Sequence, residues 1–266
     1  MLDTEKRNSN TKNIDKMTTL EMIDVISAEN YNAVKAVEAE RENIALAIDA
    51  ISVSLANGGR LFYIGAGTSG RLGVVDASEC PPTFGVEYGL VTGIIAGGYD
   101  CLYKASENAE DIFENGERDL ELNGAKAGDV VVGISAAGGA AYVLGALSKA
   151  KELGCITVGF TCNTDTKILN ASDIKICTQT GPEVITGSTR MKAGTAQKLV
   201  LNMLSTCAMV KTGKVYENLM INLKPTNIKL KDRMVRIVSD ILSCDQDTAF
   251  SLLEANNWCI RDAVTK

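Results

Sequence analysis

Apolar positions change their rhythm near residue 60. Between Thr18 and Leu55 they recur at helical spacing, and Asn57-Gly58-Gly59 stops the pattern. Thr18-Thr19-Leu20-Glu21 opens it as a capping box, with a break expected near Asn30. From Leu61 the pattern becomes short continuous apolar runs: Leu61 to Ile64, Leu90 to Ala96, Val130 to Ile134, Ile156 to Thr161 and Ile174 to Cys177. Helical stretches lie between them, notably Asp100–Leu122 and Ala140–Leu153. Strands that are apolar throughout are buried on both faces, and alternation with helices makes the sheet parallel. The expected fold is α/β, a doubly wound five-stranded parallel sheet of flavodoxin-like type, with ligands at the carboxyl ends of the strands. The loops after Ile64, Ala96, Ile134 and Phe160 are therefore the ones to inspect.

A long helix is expected over Ser188–Thr212, with Ala196, Leu199, Val200, Met203, Leu204 and Cys207 as its core stripe. Residues 1–16 are polar and read as loose. Pro225 marks a boundary, and two or three small helices follow it. This divides the chain into an N-terminal helical segment (1–50), the α/β domain (51–227) and a C-terminal helical subdomain (228–266). The N-terminal helices precede the first strand and are expected to pack on another subunit.

Composition narrows the chemistry. The 266 residues carry a net charge of −6, which disfavours a nucleic-acid or anionic-membrane surface. There is no histidine, so His-ligated metals and the Ser-His-Asp or Cys-His arrangements are excluded. Acid–base work must fall to Glu, Asp, Lys, Tyr or Cys. The eight cysteines form no C-x-x-C pair and read as buried reduced thiols of a cytoplasmic protein. The opening MLDTEKRNSN is too polar for a leader, and no apolar run approaches the ~20 residues of a membrane span.

Gly65-Ala66-Gly67-Thr68-Ser69-Gly70 follows the first strand and opens a helix. It matches the dinucleotide fingerprint, yet the second strand ends Ile94-Ile95-Ala96-Gly97-Gly98 without the carboxylate that would hold a ribose. A phosphate loop is the other reading, with the Thr68 and Ser69 hydroxyls beside free amides of a helix N-terminus. A turn needed only for close helix–strand packing is the third.

Extended through Arg71-Leu72-Gly73 and Asp76-Ala77-Ser78-Glu79-Cys80-Pro81-Pro82-Thr83, this loop resembles the N-acetylmuramic acid 6-phosphate etherases of the sugar isomerase (SIS) superfamily. Gly187-Ser188-Thr189-Arg190-Met191-Lys192-Ala193-Gly194-Thr195-Ala196-Gln197-Lys198 and Ala105-Ser106-Glu107-Asn108-Ala109-Glu110-Asp111 extend the resemblance over roughly residues 15–240. The C-terminal helical part looks shorter than is usual for the family. The resemblance implies a cytoplasmic homodimer that uses no cofactor and acts on a phosphorylated amino sugar. Its expected products are N-acetylglucosamine 6-phosphate and D-lactate, which belongs to peptidoglycan recycling.

The implied chemistry is elimination from the open-chain sugar. The C1 aldehyde acidifies the C2 proton, a base removes it, the C3 lactyl oxygen leaves and water adds back. By the resemblance, Glu79, expected just beyond the helix that the glycine loop opens and ahead of Pro81-Pro82, is the acid, and Glu110 is the second catalytic glutamate, the C2 base. Read from the residues alone, Glu107, Glu110, Glu114 and Glu117 fit a solvated helix face equally well. Cys80 reads as packing. Gly67, Thr68, Ser69, Ser135, Ser188, Thr189 and Lys192 are the candidate substrate ligands, with Arg71, Arg190 and Lys198 as further cations. Ser188 and Thr189 read equally as a helix cap. The family's S-x-S-G-R-T-P turn is replaced here by Ser135-Ala136-Ala137-Gly138-Gly139-Ala140-Ala141, which removes several side-chain donors. Two rivals share the architecture. One is a non-catalytic sugar-phosphate sensor resembling the glucokinase regulatory protein, and the other is a SIS aldose–ketose isomerase.

Overall fold

The computed structural model describes residues 1–225 and 227–264. Helix α1 (Thr19–Ala39) begins at the capping box: Thr18 Oγ1 accepts from the Glu21 amide, and Glu21 Oε2 accepts from the Thr18 amide at 2.7 Å. It does not break at Asn30, because the buried stripe continues through Ala33 and Val37. The break falls at Glu40, where α2 (Arg41–Ala56) starts. The Glu40 carboxylate there accepts from the Cys177 amide at 3.2 Å, tying the helix junction to the sheet.

Five strands follow as expected: β1 (Leu61–Gly65), β2 (Val91–Ile95), β3 (Val130–Ile134), β4 (Ile156–Thr161) and β5 (Ile174–Cys177). All pairs are parallel, in the order β2-β1-β3-β4-β5. Leu61 sits opposite both Val91 and Val130, so β1 is an interior strand and the winding reverses between β1 and β3. Side chains alternate between faces. Leu61, Tyr63, Val130, Val132, Val158 and Phe160 meet α2, α3 (Gly67–Phe84) and α7 (Lys192–Lys211). Phe62, Ile64 and Val131 meet α4 (Phe113–Leu122) and α5 (Ala141–Glu152) on the other face. A short α6 (Lys167–Asn170) connects β4 to β5.

Three expectations change, and the packing of the N-terminal helices within the chain adds to the picture. Pro81 and Pro82 lie inside α3, so Glu79 is within that helix and not beyond it. The Asp100–Leu122 stretch is two 3-10 turns, Tyr99–Leu102 and Glu107–Glu110, ahead of α4. Arg71 is the physical reason: its guanidinium takes the carbonyls of Leu102 (3.0 Å) and Lys104 (3.5 Å), acceptors a continuous helix would use itself. The N-terminal helices bury one face within their own chain, with Ala33, Val37, Ile44, Ala47 and Ile51 in the α7 core. Residues 1–16 are a strap and not loose. Thr4 is fully buried and shares two hydrogen bonds with Asn163, while Asn8 donates to the Pro182 carbonyl and Thr11 to that of Val184.

Beyond α7 comes a hairpin, β6 (Val215–Tyr216) with β7 (Leu219–Met220), and then α8 (Ile228–Leu242), α9 (Gln246–Ala255) and α10 (Ile260–Val264). These elements build their own apolar cluster around Met234, Val238, Ala249 and Leu253. Residues 265 and 266, the end of the expected C-terminal subdomain, lie outside the described residues. Helix α2 runs through residue 50, so no element boundary falls there.

Helices α4 and α5 approach each other closely. A Cβ on Gly116 would lie 1.8 Å from the Tyr142 carbonyl oxygen, and one on Gly145 would lie 2.0 Å from that of Phe113. Gly116→Ala must therefore separate the helices, and the expected loss is about 1–3 kcal/mol of stability, read from the urea midpoint. An unchanged midpoint would contradict this packing.

Candidate active site

The loop after β1 and the loop after β3 reach the same carboxyl edge of the sheet, on either side of the winding reversal. The three glycines of the first loop have separate jobs. Gly67 has φ +52°, a left-handed conformation that suits glycine. Gly65 and Gly70 touch: a Cβ on Gly65 would stand 2.8 Å from the Gly70 nitrogen. That contact brings the start of α3 down onto β1.

Neither α3 nor α5 has a side-chain cap, since their N-caps are Ala66 and Ala140. Each helix therefore ends in unsatisfied amides and the positive end of its dipole. Both ends border one cavity of about 290 Å³, lined by Gly67, Thr68, Ser69, Glu110, Ser135, Ala140 and Thr189 among others. Helix α7 contrasts with them. Its N-cap is Met191, and the buried Glu183 carboxylate accepts from the Lys192 amide (3.0 Å) and the Ala193 amide (2.9 Å). One helix end is thus closed by a built-in carboxylate, and two are left open for an external anion.

The cavity's hydroxyls are unequal. Ser69 donates its proton to Gln197 Oε1 at 3.1 Å, so it offers its amide and an acceptor oxygen. The Ser135 hydroxyl oxygen accepts from the Gly138 amide at 3.1 Å, which leaves its own proton for a ligand. In the altered turn, Ser135 keeps its hydroxyl, and the uncapped start of α5 offers backbone amides in place of the missing side-chain donors.

Glu110 borders the cavity from the second 3-10 turn. Partial burial, and then the charge of Asp111, push its carboxyl above the ordinary carboxylate range. That makes it a stronger base than a solvated glutamate. It is also separated from Glu114 and Glu117, which belong to α4, so no continuous acidic helix face exists.

Several candidates lie elsewhere. Glu79 is exposed on α3, ten residues past Ser69, which is roughly 15 Å along the helix at ~1.5 Å per residue. It does not line this cavity. Ser188 is not a lining residue either, and neither it nor Thr189 caps α7. Lys192 is 1% exposed, and its ammonium pairs with Glu29, which is also bonded by Asn10. Burial opposes ionisation of Glu29, but the Lys192, Asn10 and Asn8 hydrogen bonds and the Lys192 charge win and hold its pKa below the usual value. Lys192 is therefore a structural cation. Arg71 braces the loop that carries Glu110 and is not a cavity residue. The Cys80 thiol is pushed up to about 12 by burial and by Asp76, which removes it as a nucleophile at neutral pH.

One cavity residue had no signal in the sequence. The strap places Glu5 at the edge, with its carboxylate against Gly187. No group of three or more His, Cys, Asp or Glu side chains suited to a metal occurs among the described residues.

Two family descriptions match the chain: the glucokinase regulatory protein N-terminal SIS domain over residues 43–151, and the SIS domain over residues 102–206. An N-acetylmuramic acid 6-phosphate etherase of Clostridium botulinum (strain Okra / Type B1) is 52% identical across 98% of this chain and 86% of that protein. One of Serratia proteamaculans (strain 568) is 50% identical across 99% of this chain and 89% of that protein. Among solved structures, a phosphoheptose isomerase from Francisella tularensis superposes with a TM-score of 0.54 at 19% identity, covering 72% of this chain and 98% of that one. The phosphoheptose isomerase of Neisseria gonorrhoeae gives 0.52 at 21% identity, with 72% and 98% covered. At such identities these structures speak for the fold alone.

The buried Lys192–Glu29 pair yields a direct test. Lys192→Met strands the Glu29 carboxylate without its partner, and removing one member of a buried pair typically costs about 3–5 kcal/mol. Urea unfolding should show a loss of that size. A variant as stable as the parent would mean that Lys192 is free for a ligand.

Proposed function

This chain belongs to the N-acetylmuramic acid 6-phosphate etherase family, and we propose that it cleaves the D-lactyl ether of N-acetylmuramic acid 6-phosphate, releasing D-lactate and N-acetylglucosamine 6-phosphate. The observation that carries this reading is 52% identity to an etherase over almost the whole chain, coincident with a cavity where Glu110 faces two open helix ends. The regulatory-protein model matches residues 43–151 only, whereas the etherase relatives run through the chain, so the sensor reading is not favoured.

The phosphate sits on the amides at the starts of α3 and α5, with Thr68 and Ser135 as hydroxyl donors. This fixes the open-chain sugar with C2 toward Glu110. Glu110 removes the C2 proton, and the electron pair moves into the C1–C2 unit as an enolate. Collapse of the enolate forms the C2–C3 double bond and breaks the C3–oxygen bond. The lactyl oxygen takes a proton from an acid as it departs. Water then adds its hydroxyl at C3 and a proton returns to C2, so the sum is one ether plus one water giving two products. The enzyme is accordingly a carbon–oxygen lyase in mechanism, and no cofactor takes part in these steps.

Glu79, the acid by resemblance, is too far along α3 to serve its own cavity. We assign it to the cavity of a second copy in a homodimer. In support, α1 shows an outward apolar row of Leu20, Ile23, Tyr31 and Val34, and Val75 on α3 is 56% exposed near Glu79. These rows are apolar surface that a partner copy would cover. Cytoplasmic placement belongs to the same proposal: all eight cysteines are free, which suits a reducing compartment. Among the described residues no helix is long and apolar enough to cross a membrane.

Incubation with N-acetylmuramic acid 6-phosphate should release D-lactate, and its absence would overturn the reading. Glu110→Gln should abolish lactate release and also exchange of the C2 proton with solvent deuterium. Glu79→Gln should slow release ~10²–10⁴-fold while sparing exchange. Mixing the two variants under conditions that exchange subunits should restore part of the activity. No recovery would place both glutamates in one chain's site.

The pH profile follows from the raised Glu110 pKa. The base works only when ionised, so activity should fall as pH drops through a value above the ordinary 4.5. Asp111→Asn removes a charge that raises this pKa, and the acid limb of kcat/KM should move to lower pH. A limb that stays in place or rises would contradict the assignment.

A further inference from the structure

A second concavity of about 300 Å³ adjoins the cavity on the other side of Thr68, between α3 and the start of α7. It is lined by Thr68, Leu72, Arg190, Gly194, Thr195, Lys198 and Leu199. Thr68 is the partition, and a Cβ on Gly194 would stand 3.4 Å from its methyl group. We propose that this groove holds the lactyl group of the substrate, with Arg190 and Lys198 taking its carboxylate and Leu72 and Leu199 flanking its methyl. The proposal rests on the etherase reading and adds a second anion subsite to it.

Charge distribution selects the groove. The substrate named by the relatives carries two anionic ends, a phosphate on C6 and a lactyl carboxylate on C3. The main cavity has no lysine or arginine in its lining, and two carboxylates border it, Glu5 and Glu110. The two open helix ends offset that charge for one anion, the phosphate; a lactyl carboxylate turned into the same cavity would meet Glu5, Glu110 and the phosphate with no cation to hold it. Turned across Thr68, it meets two exposed cations, neither of which is in an ion pair among the described residues. Lys198 acts on the buried Asp76 through its charge alone: Asp76 Oδ1 accepts from Asn202 at 2.6 Å and Ser205 at 3.2 Å, Oδ2 has no hydrogen-bond partner among the described residues, and no ion pair joins Asp76 to Lys198.

The donors at the groove are side chains and not a helix end. Glu183 closes the start of α7, and Thr195 spends its hydroxyl proton on the Met191 carbonyl at 2.9 Å. Arg190 and Lys198 are therefore the charged donors this subsite offers. The phosphate and the carboxylate are thus separated by kind of donor: backbone amides for one, cationic side chains for the other. Elimination frees the lactyl group from the sugar, so the groove binds the leaving product and the cavity binds the remaining sugar phosphate.

Substrate and product differ by the lactyl group alone, and this separates the subsites. For Arg190→Gln and Lys198→Gln, kcat/KM for N-acetylmuramic acid 6-phosphate should fall about 10- to 100-fold each, mostly through KM, as expected for one lost charge-assisted contact. The dissociation constant of N-acetylglucosamine 6-phosphate, measured by calorimetry, should stay within about two-fold of the parent's, since it makes no contact there. Parallel losses for both sugar phosphates would overturn the proposal and assign these cations to the phosphate. An unchanged KM would overturn it as well. Failure of the parent enzyme to release D-lactate would instead count against the etherase reading, so the two failures are distinguishable.

Discussion

Two helix ends without caps, held at one edge of a parallel sheet, are the constraint on which the site depends. Each leaves amides that must find a partner in water or in a ligand. The sheet order places β1 beside β3, and the turn glycines press α3 onto β1, so the two ends open into the same space. An anion there replaces water at both ends at once. The Ala and Gly content of the Ser135–Ala141 turn weakens the side-chain contribution without removing this backbone one.

Around that space the charges are sorted. Glu183 neutralises the third helix end, Lys192 and Glu29 neutralise each other in the interior, and Arg71 is spent on the carbonyls of Leu102 and Lys104. Two of the four motif cations, Arg71 and Lys192, are therefore structural. What remains for chemistry is a carboxylate of raised pKa at the cavity and two cations in the adjoining groove. A proton abstraction needs the first, and an anionic leaving group suits the second.

The sheet was legible in the sequence because both its faces are covered. Strands such as Leu61–Gly65 and Val130–Ile134 then become unbroken apolar runs, and Gly65 ends the first of them. What escaped was set by distant partners. The segment before Thr18 looks loose because its buried residues are Thr and Asn, satisfied by Asn163, Pro182 and Val184 more than 150 positions away. Lys192 looks like a ligand because Glu29 is equally remote. Residues 100–112 look helical because no local signal shows that Arg71 will take their carbonyls. Glu110 stood out only through the motif resemblance. Its spacing from Glu114 and Glu117 pointed to a solvated face, and a change of backbone from 3-10 turn to α-helix separates it from them.

In the proposed mechanism the open ends of α3 and α5 hold the phosphate while Glu110 faces C2. A crystal structure with N-acetylglucosamine 6-phosphate bound tests this most directly. Phosphate oxygens should lie within about 3.2 Å of amides at the starts of both helices, with the Glu110 carboxylate against C2. A phosphate seated on Arg190 and Lys198, with the amides of α3 and α5 left to water, would contradict it.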